Sequence, residues 1–192
     1  MKITFLGTGT SQGIPMIANN DPVCLSDNPR DKRLRSSIMI SWNDIRYIID
    51  CGPDFRQQML RENIQSINGV LFTHEHADHT AGIDDLRPYT YKMGEVPIYA
   101  QERVIENLKV RFSYIFETEN RYAGAPKLTE NTIDSTSFML SGVQVTPLAV
   151  MHGNLPITGY RFGNVAYITD LKTMSDQEKK KLENLEILIV NA

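Results

Sequence analysis

The sequence predicts an α/β protein built in layers, and three observations carry that prediction. Its early strand-like segments are joined by a hairpin signal, its middle alternates β-rich and helix-periodic stretches, and its last third returns to strands. The 192 residues suffice for a single domain, 1–192, with a proper core, and 41% hydrophobic with 22% charged is the balance of a globular chain.

Residues 2–6 alternate and are β-rich, then stop at the loop Gly7-Thr8-Gly9-Thr10-Ser11-Gln12-Gly13. A dinucleotide fold would need a third glycine at another spacing and an amphipathic helix behind it, and neither is there. Residues 14–35 read as a long polar loop with Pro15, Pro22 and Pro29. Two strands, 37–42 and 45–50, are joined by the hairpin pair Asn43-Asp44. Pro53 opens a helix over 54–63, with Phe55, Met59 and Leu60 turned inward. The unbroken apolar run Gly69-Val70-Leu71-Phe72-Thr73 suits a strand buried on both faces.

A helix starting at Thr80 closes near Pro88, a short strand covers 97–100, and a helix over 102–112 carries Val104, Ile105, Leu108 and Phe112 at helical spacing. Residues 113–135 show little periodicity and read as a lid or insertion. Strands follow at 137–140, 143–150, 157–162 and 165–169, with Gly163-Asn164 as a turn, then a charged helix over 175–184. The last apolar run, 187–190, reads as an interior strand without the covering helix such strands normally feed. The expectation is a domain missing its C-terminal elements, cut from a longer parent, whose last strand either packs on a second copy as a homodimer or ends in poorly ordered residues.

A net charge of −3 gives no global attraction for nucleic acid, so a small-molecule partner is favoured. No secretory signal and no apolar stretch of membrane-spanning length are seen, which makes the cytoplasm the expected location and leaves the membrane out. Cys24 and Cys51 are too few for a disulfide framework or a closed structural zinc site.

Histidine placement says more. Of four histidines, three (His74, His76 and His79) fall within six residues, and the fourth is His152. His74 and His76 lie two apart at a strand end and project to one side, while Asp78 and His79 follow where the chain turns into a helix. A helix cap alone would explain Asp78 but not three imidazoles beside it. Such nitrogen and oxygen donors suit zinc first, and also manganese or iron. One ion on His74 and His76 with a second on Asp78 and His79 accounts for the tight spacing. His152 and Asp170 each follow a predicted strand, where loops carry ligands. Asp50 reads either as a turn residue before Gly52 or as an acceptor that orients a ligand imidazole.

The string Thr73-His74-Glu75-His76-Ala77-Asp78-His79-Thr80-Ala81-Gly82 resembles the H-x-H-x-D-H signature of the metallo-β-lactamase superfamily. The segments from Phe5 to Gly13 and from Ile49 to Gly52, the isolated His152, and Thr169-Asp170 extend the likeness along nearly the whole chain. Within the superfamily the set is similar to the branch containing ribonuclease Z and the cyclic-phosphate phosphodiesterases of phosphonate breakdown. The run from Val143 to Leu148 and Asp84-Asp85-Leu86-Arg87 carry that part.

The resemblance implies a four-layer αββα fold and two divalent metal ions. It makes His74, His76 and His152 ligands of the first, Asp78 and His79 ligands of the second, and Asp170 a bridge. Asp78 and Asp170 become the catalytic carboxylates. Arg87, by its place shortly after the signature helix, is the candidate phosphate contact. The implied activity is hydrolysis of a small cyclic phosphodiester by a metal-bridging hydroxide. Thioester or lactone hydrolysis on the same site is the alternative, and a metal-poor, non-catalytic domain the reading from another class. That branch places a further histidine near its C-terminus, and no histidine follows His152 here.

Overall fold

Alternation along each strand decides which layer receives its side chains. The structure, a computed structural model, describes residues 1–191. β1 (Lys2–Gly7), β2 (Ser37–Trp42), β3 (Ile45–Ile49), β4 (Gly69–Leu71), β5 (Val96–Ala100) and β6 (Leu128–Thr132) form one sheet in that order. Pairing is antiparallel from β1 to β3 and parallel from β3 to β6. β7 (Phe138–Leu140), β8 (Val143–His152), β9 (Leu155–Phe162), β10 (Val165–Ile168) and β11 (Ile187–Val190) form the second sheet. It is antiparallel except for the β10–β11 pair. The helices are α1 (Pro22–Leu25), α2 (Phe55–Arg61), α3 (Ala77–Thr80), α4 (Arg87–Met93), α5 (Glu102–Arg111), α6 (Ser113–Phe116) and α7 (Asp176–Lys180).

Ile38 and Ile40 of β2, with Tyr47 and Ile49 of β3, face the second sheet and meet Tyr160, Phe162 and Tyr167 there. The intervening Met39 and Ile48 belong to another core, under Phe55 and Met59 of α2 and Val104, Ile105 and Leu108 of α5. On the far side of the second sheet, Leu148, Val150, Ile157 and Ile168 pack with Leu182 and Leu185 beyond α7. Helix, sheet, sheet, helix is the expected four-layer αββα order.

Several local expectations are corrected. Residues 14–35 are not loop throughout, since α1 and a 3-10 turn at Pro29–Asp31 lie within them. The helix after the histidines begins at Ala77, and Pro88 sits in the first turn of α4. A first turn has no use for the missing N–H, so this proline opens a helix instead of closing one. In α2 the residue turned inward beside Phe55 and Met59 is Gln58, whose amide donates to the Arg35 carbonyl, while Leu60 is 63% exposed. One step beyond Met59 turns Leu60 about 100° away from that face. Residues 113–135 hold α6 and the edge strand β6, whose Leu-Thr-Glu-Asn-Thr sequence is too polar to show an inward face. α7 covers only five residues, capped by Ser175, whose side chain accepts from the Glu178 N–H. β11, expected without a covering helix, lies at the edge of its sheet with Ile187, Leu188 and Val190 each more than 40% exposed. No helix among the described residues is long and apolar enough to cross a membrane.

Candidate metal centre

Strand ends build the site. At the end of β3 the backbone amide of Asp50 donates to the Leu71 carbonyl at 2.9 Å, and Asp50 then takes a left-handed conformation with φ of 65°. Its buried carboxylate continues the ladder, accepting from the Thr73 N–H at 2.8 Å and from the Thr73 hydroxyl at 2.9 Å. The second sheet holds the same segment, with the Thr158 N–H donating to the Thr73 carbonyl at 3.0 Å and the Tyr160 hydroxyl to the Phe72 carbonyl at 2.6 Å. His74 is therefore fixed from both sheets.

Two glycines let the turn after Asp50 lie against the histidine loop. A Cβ on Gly52 would sit 2.0 Å from the Asp78 carbonyl oxygen, and one on Gly82 would sit 2.1 Å from that of Gly52. With neither present, the Cys51 N–H donates to the His79 carbonyl at 2.8 Å and the Gly82 N–H to the Cys51 carbonyl at 2.9 Å. α3 is thereby locked over Asp50, whose carboxylate meets His79 Nδ1 at 2.7 Å.

The structure brings His74, His76, Asp78, His79, His152 and Asp170 together. Two groups of donor atoms each lie within 4.8 Å of one another: His74, His76 and His152, and His74, His79 and Asp170. His74 belongs to both. Its Nε2 is 3.0 Å from His76 Nδ1 and 3.4 Å from Asp170 Oδ2. His79 Nε2 is 3.0 Å from Asp170 Oδ2 and 3.1 Å from Asp78 Oδ2. His152 ends β8, its ring 5.4 Å from that of His76. Asp170 follows β10 in a second left-handed turn, with φ of 53°.

Charge is unevenly spread over these groups. Burial opposes a charge on His79, but Asp50, Asp170 and Asp78 outweigh it and raise its pKa well above the ordinary value. Burial and the neighbouring His79 push His74 down to about 3. Burial would raise Asp170, yet its hydrogen bond with His79 and the charge there hold it at about 2. Asp50, fully buried, is raised by that burial despite His79. The donor set fits divalent cations: a neutral buried imidazole and carboxylates crowded round a single positive ring are what an ion of that kind binds.

Over the two groups opens a cleft of about 500 Å³, whose opposite wall is Thr8, Gly9, Thr10, Ser11 and Ser36, with Asn191 at one side. Sequence reasoning missed this wall, although the glycine loop was the signal for it. Arg35 holds the loop, its Nε donating to the Ser11 carbonyl at 2.8 Å while its Nη1 pairs with Asp54 at 2.9 Å. Arg87, expected as a phosphate contact, does not line the cleft; its Nη2 pairs with Asp84, three residues back, which also accepts from the Tyr114 hydroxyl. Thr73 and Glu75 had no role in the sequence reading; Thr73 ties Asp50 to His74, and Glu75 pairs with Arg103 of α5.

Residues 45–192 match the family model described as a beta-lactamase superfamily domain. The chain belongs to the beta-lactamase superfamily. A solved diphosphatase of the PhnP family is similar to this superfamily member at 39% identity and a TM-score of 0.88, over 97% of this chain and 72% of its own. An octanoyltransferase of Porphyromonas gingivalis is 41% identical over all of this chain and 39% of its own length. A ribonuclease Z of Methanococcus maripaludis is 27% identical over 97% of this chain and 54% of its own length. The chain thus spans 39–54% of the length of those two curated relatives.

Proposed function

We propose that this chain is a metal-dependent hydrolase of small phosphodiesters, a cyclic one foremost. The observation that carries the reading is the pair of overlapping donor groups around His74 beside one cleft, which would hold two cations side by side, with His74 a ligand of one of them. Bound there, zinc (or manganese or iron) would supply an acidified water and positive charge for the phosphoryl oxygens. The residues do the placing. Asp50 fixes His79 through Nδ1 and leaves Nε2 facing the cleft. Asp170 reaches toward both groups, and Asp78 adds a carboxylate beside His79. The hydroxyl-rich wall receives the polar remainder of the substrate. Among the described residues none that lines the cleft is Lys or Arg, which supports a small substrate over a polyanion. The diphosphatase and ribonuclease Z relatives support phosphorus chemistry.

The relative named octanoyltransferase favours a second reading, an acyl thioester at the same site. One experiment separates them: hydrolysis of bis-p-nitrophenyl phosphate beside a thioester, each with zinc and with manganese. Turnover of the phosphodiester is expected; turnover of the thioester alone would transfer the site to acyl chemistry. A chain that takes up no metal and turns over neither would be a non-catalytic domain.

A further inference from the structure

Two arginines of α5 reach across to the histidine loop, and neither belongs to the cleft. Arg103 pairs with the carboxylate of Glu75, between His74 and His76, and its Nη2 also donates to the Pro156 carbonyl. Pro156 lies opposite Met151 in the β8–β9 hairpin, next to the pair His152 and Leu155. Arg111, eight residues on and so a little over two turns along the helix, donates to the Glu75 carbonyl at 2.6 Å and to the Thr80 hydroxyl at 2.9 Å. The donor group His74, His76 and His152 is drawn from both sheets, and its two halves are joined through one guanidinium.

We infer that Arg103 is a positioning residue for the metal centre, fastening the His74–His76 loop to the hairpin that bears His152. The inference rests on the metal-binding reading of the site. Arg103 serves the Glu75 carboxylate from Nη1 and the Pro156 carbonyl from Nη2, a fixed fork that the single nitrogen of lysine matches only in part. Glu75 is 17% exposed at its side chain, which leaves its charge poorly hydrated once Arg103 is gone. A charged carboxylate free to swing between two ligands would spread the positions of both rings.

The test is zinc affinity, read by competition with a chromophoric chelator, together with the melting temperature of the metal-free chains. The unaltered chain, R103A, R103K, E75Q and the double variant E75Q/R103A are compared. R103A is expected to weaken zinc binding by roughly 10–100-fold, the range for groups that orient ligands. R103K should recover part of the loss, and R103A should add little once E75Q is present. If R103A does not fold, R103K and E75Q decide by the same criteria. A lowered melting temperature with unchanged zinc affinity would mean that Arg103 only stabilises the fold, and would overturn the inference, as would fully additive losses. An unaltered chain that binds no zinc would instead remove the metal reading itself, and the inference with it.

Discussion

The two donor groups share His74 but are built on opposite principles. His79, in one, is buried and touches three carboxylates, Asp50, Asp78 and Asp170. His76 and His152, in the other, are exposed and half-buried, and their distinguishing neighbours are other imidazoles. The first arrangement is buried and rich in carboxylates, the second open and built of imidazoles. A cation bound at the first would replace a proton, whereas one bound at the second would meet rings brought together from two separate loops. Affinity at the first should depend on charge and pH, and at the second on how well two loops are held in register.

The largest test of that contrast is Asp170, which faces both groups. Asp170→Asn should lower kcat/KM on bis-p-nitrophenyl phosphate by at least about 100-fold while the chain stays folded, as circular dichroism would check. Asp170→Ala should do the same, and near-normal turnover in both would end the shared-carboxylate picture. Asp50→Asn comes next. It should weaken one of two bound zinc ions by roughly 10–100-fold and leave the other within about threefold, resolved as two phases of a chelator titration. Equal weakening of both phases would erase the distinction between the groups.

Acidity gives the third test. The raised pKa of His79 means that its contribution to the stability of the metal-free chain is full below the ordinary value of 6.5 and lost as pH rises through the raised value. Asp170, held at about 2, works in reverse: its contribution is present above 3.8 and lost as pH falls toward 2. The metal-free melting temperature should therefore plateau between those limits and fall on both sides. Zinc affinity of the His79 group should rise about tenfold per pH unit until pH reaches the raised pKa of His79, as the ion displaces one proton, and level off above it. His74, pushed down to about 3, has no proton to lose there. A pH-independent affinity at the His79 group would contradict the charge asymmetry. The smallest effect belongs to Arg87→Ala, which should leave KM within about twofold because Arg87 does not line the cleft and its Nη2 pairs with Asp84. A large rise in KM would restore Arg87 as a substrate contact.

Legibility in the sequence followed contiguity. His74, His76, Asp78 and His79 could be read together because one strand end and one short helix carry them all. His152 and Asp170 stood out only as polar residues after apolar strands, and it took the resemblance to attach them to the cluster. Nothing local marks Arg103 or Arg111 as partners of Glu75, since the contacts span 28 and 36 residues and the helix shows ordinary amphipathic spacing. The layers were readable where strands are buried on both faces, as with Val70 and Leu71. β6 was not, because an edge strand with only Leu128 and Asn131 half-buried prints no alternation.

The left-handed turns at Asp50 and Asp170 bear on how such a site can be lost. That backbone region is closed to most side chains, at about 1–2 kcal/mol for a residue with a Cβ, and asparagine and aspartate tolerate it best. A mutational walk through these positions is therefore channelled. One base change turns an aspartate codon into an asparagine codon, which keeps the turn and much of the hydrogen bonding while removing the charge. Descendants that have abandoned hydrolysis should accordingly carry asparagine at these two corners more often than alanine, valine or leucine, with a scaffold still intact around a silenced centre.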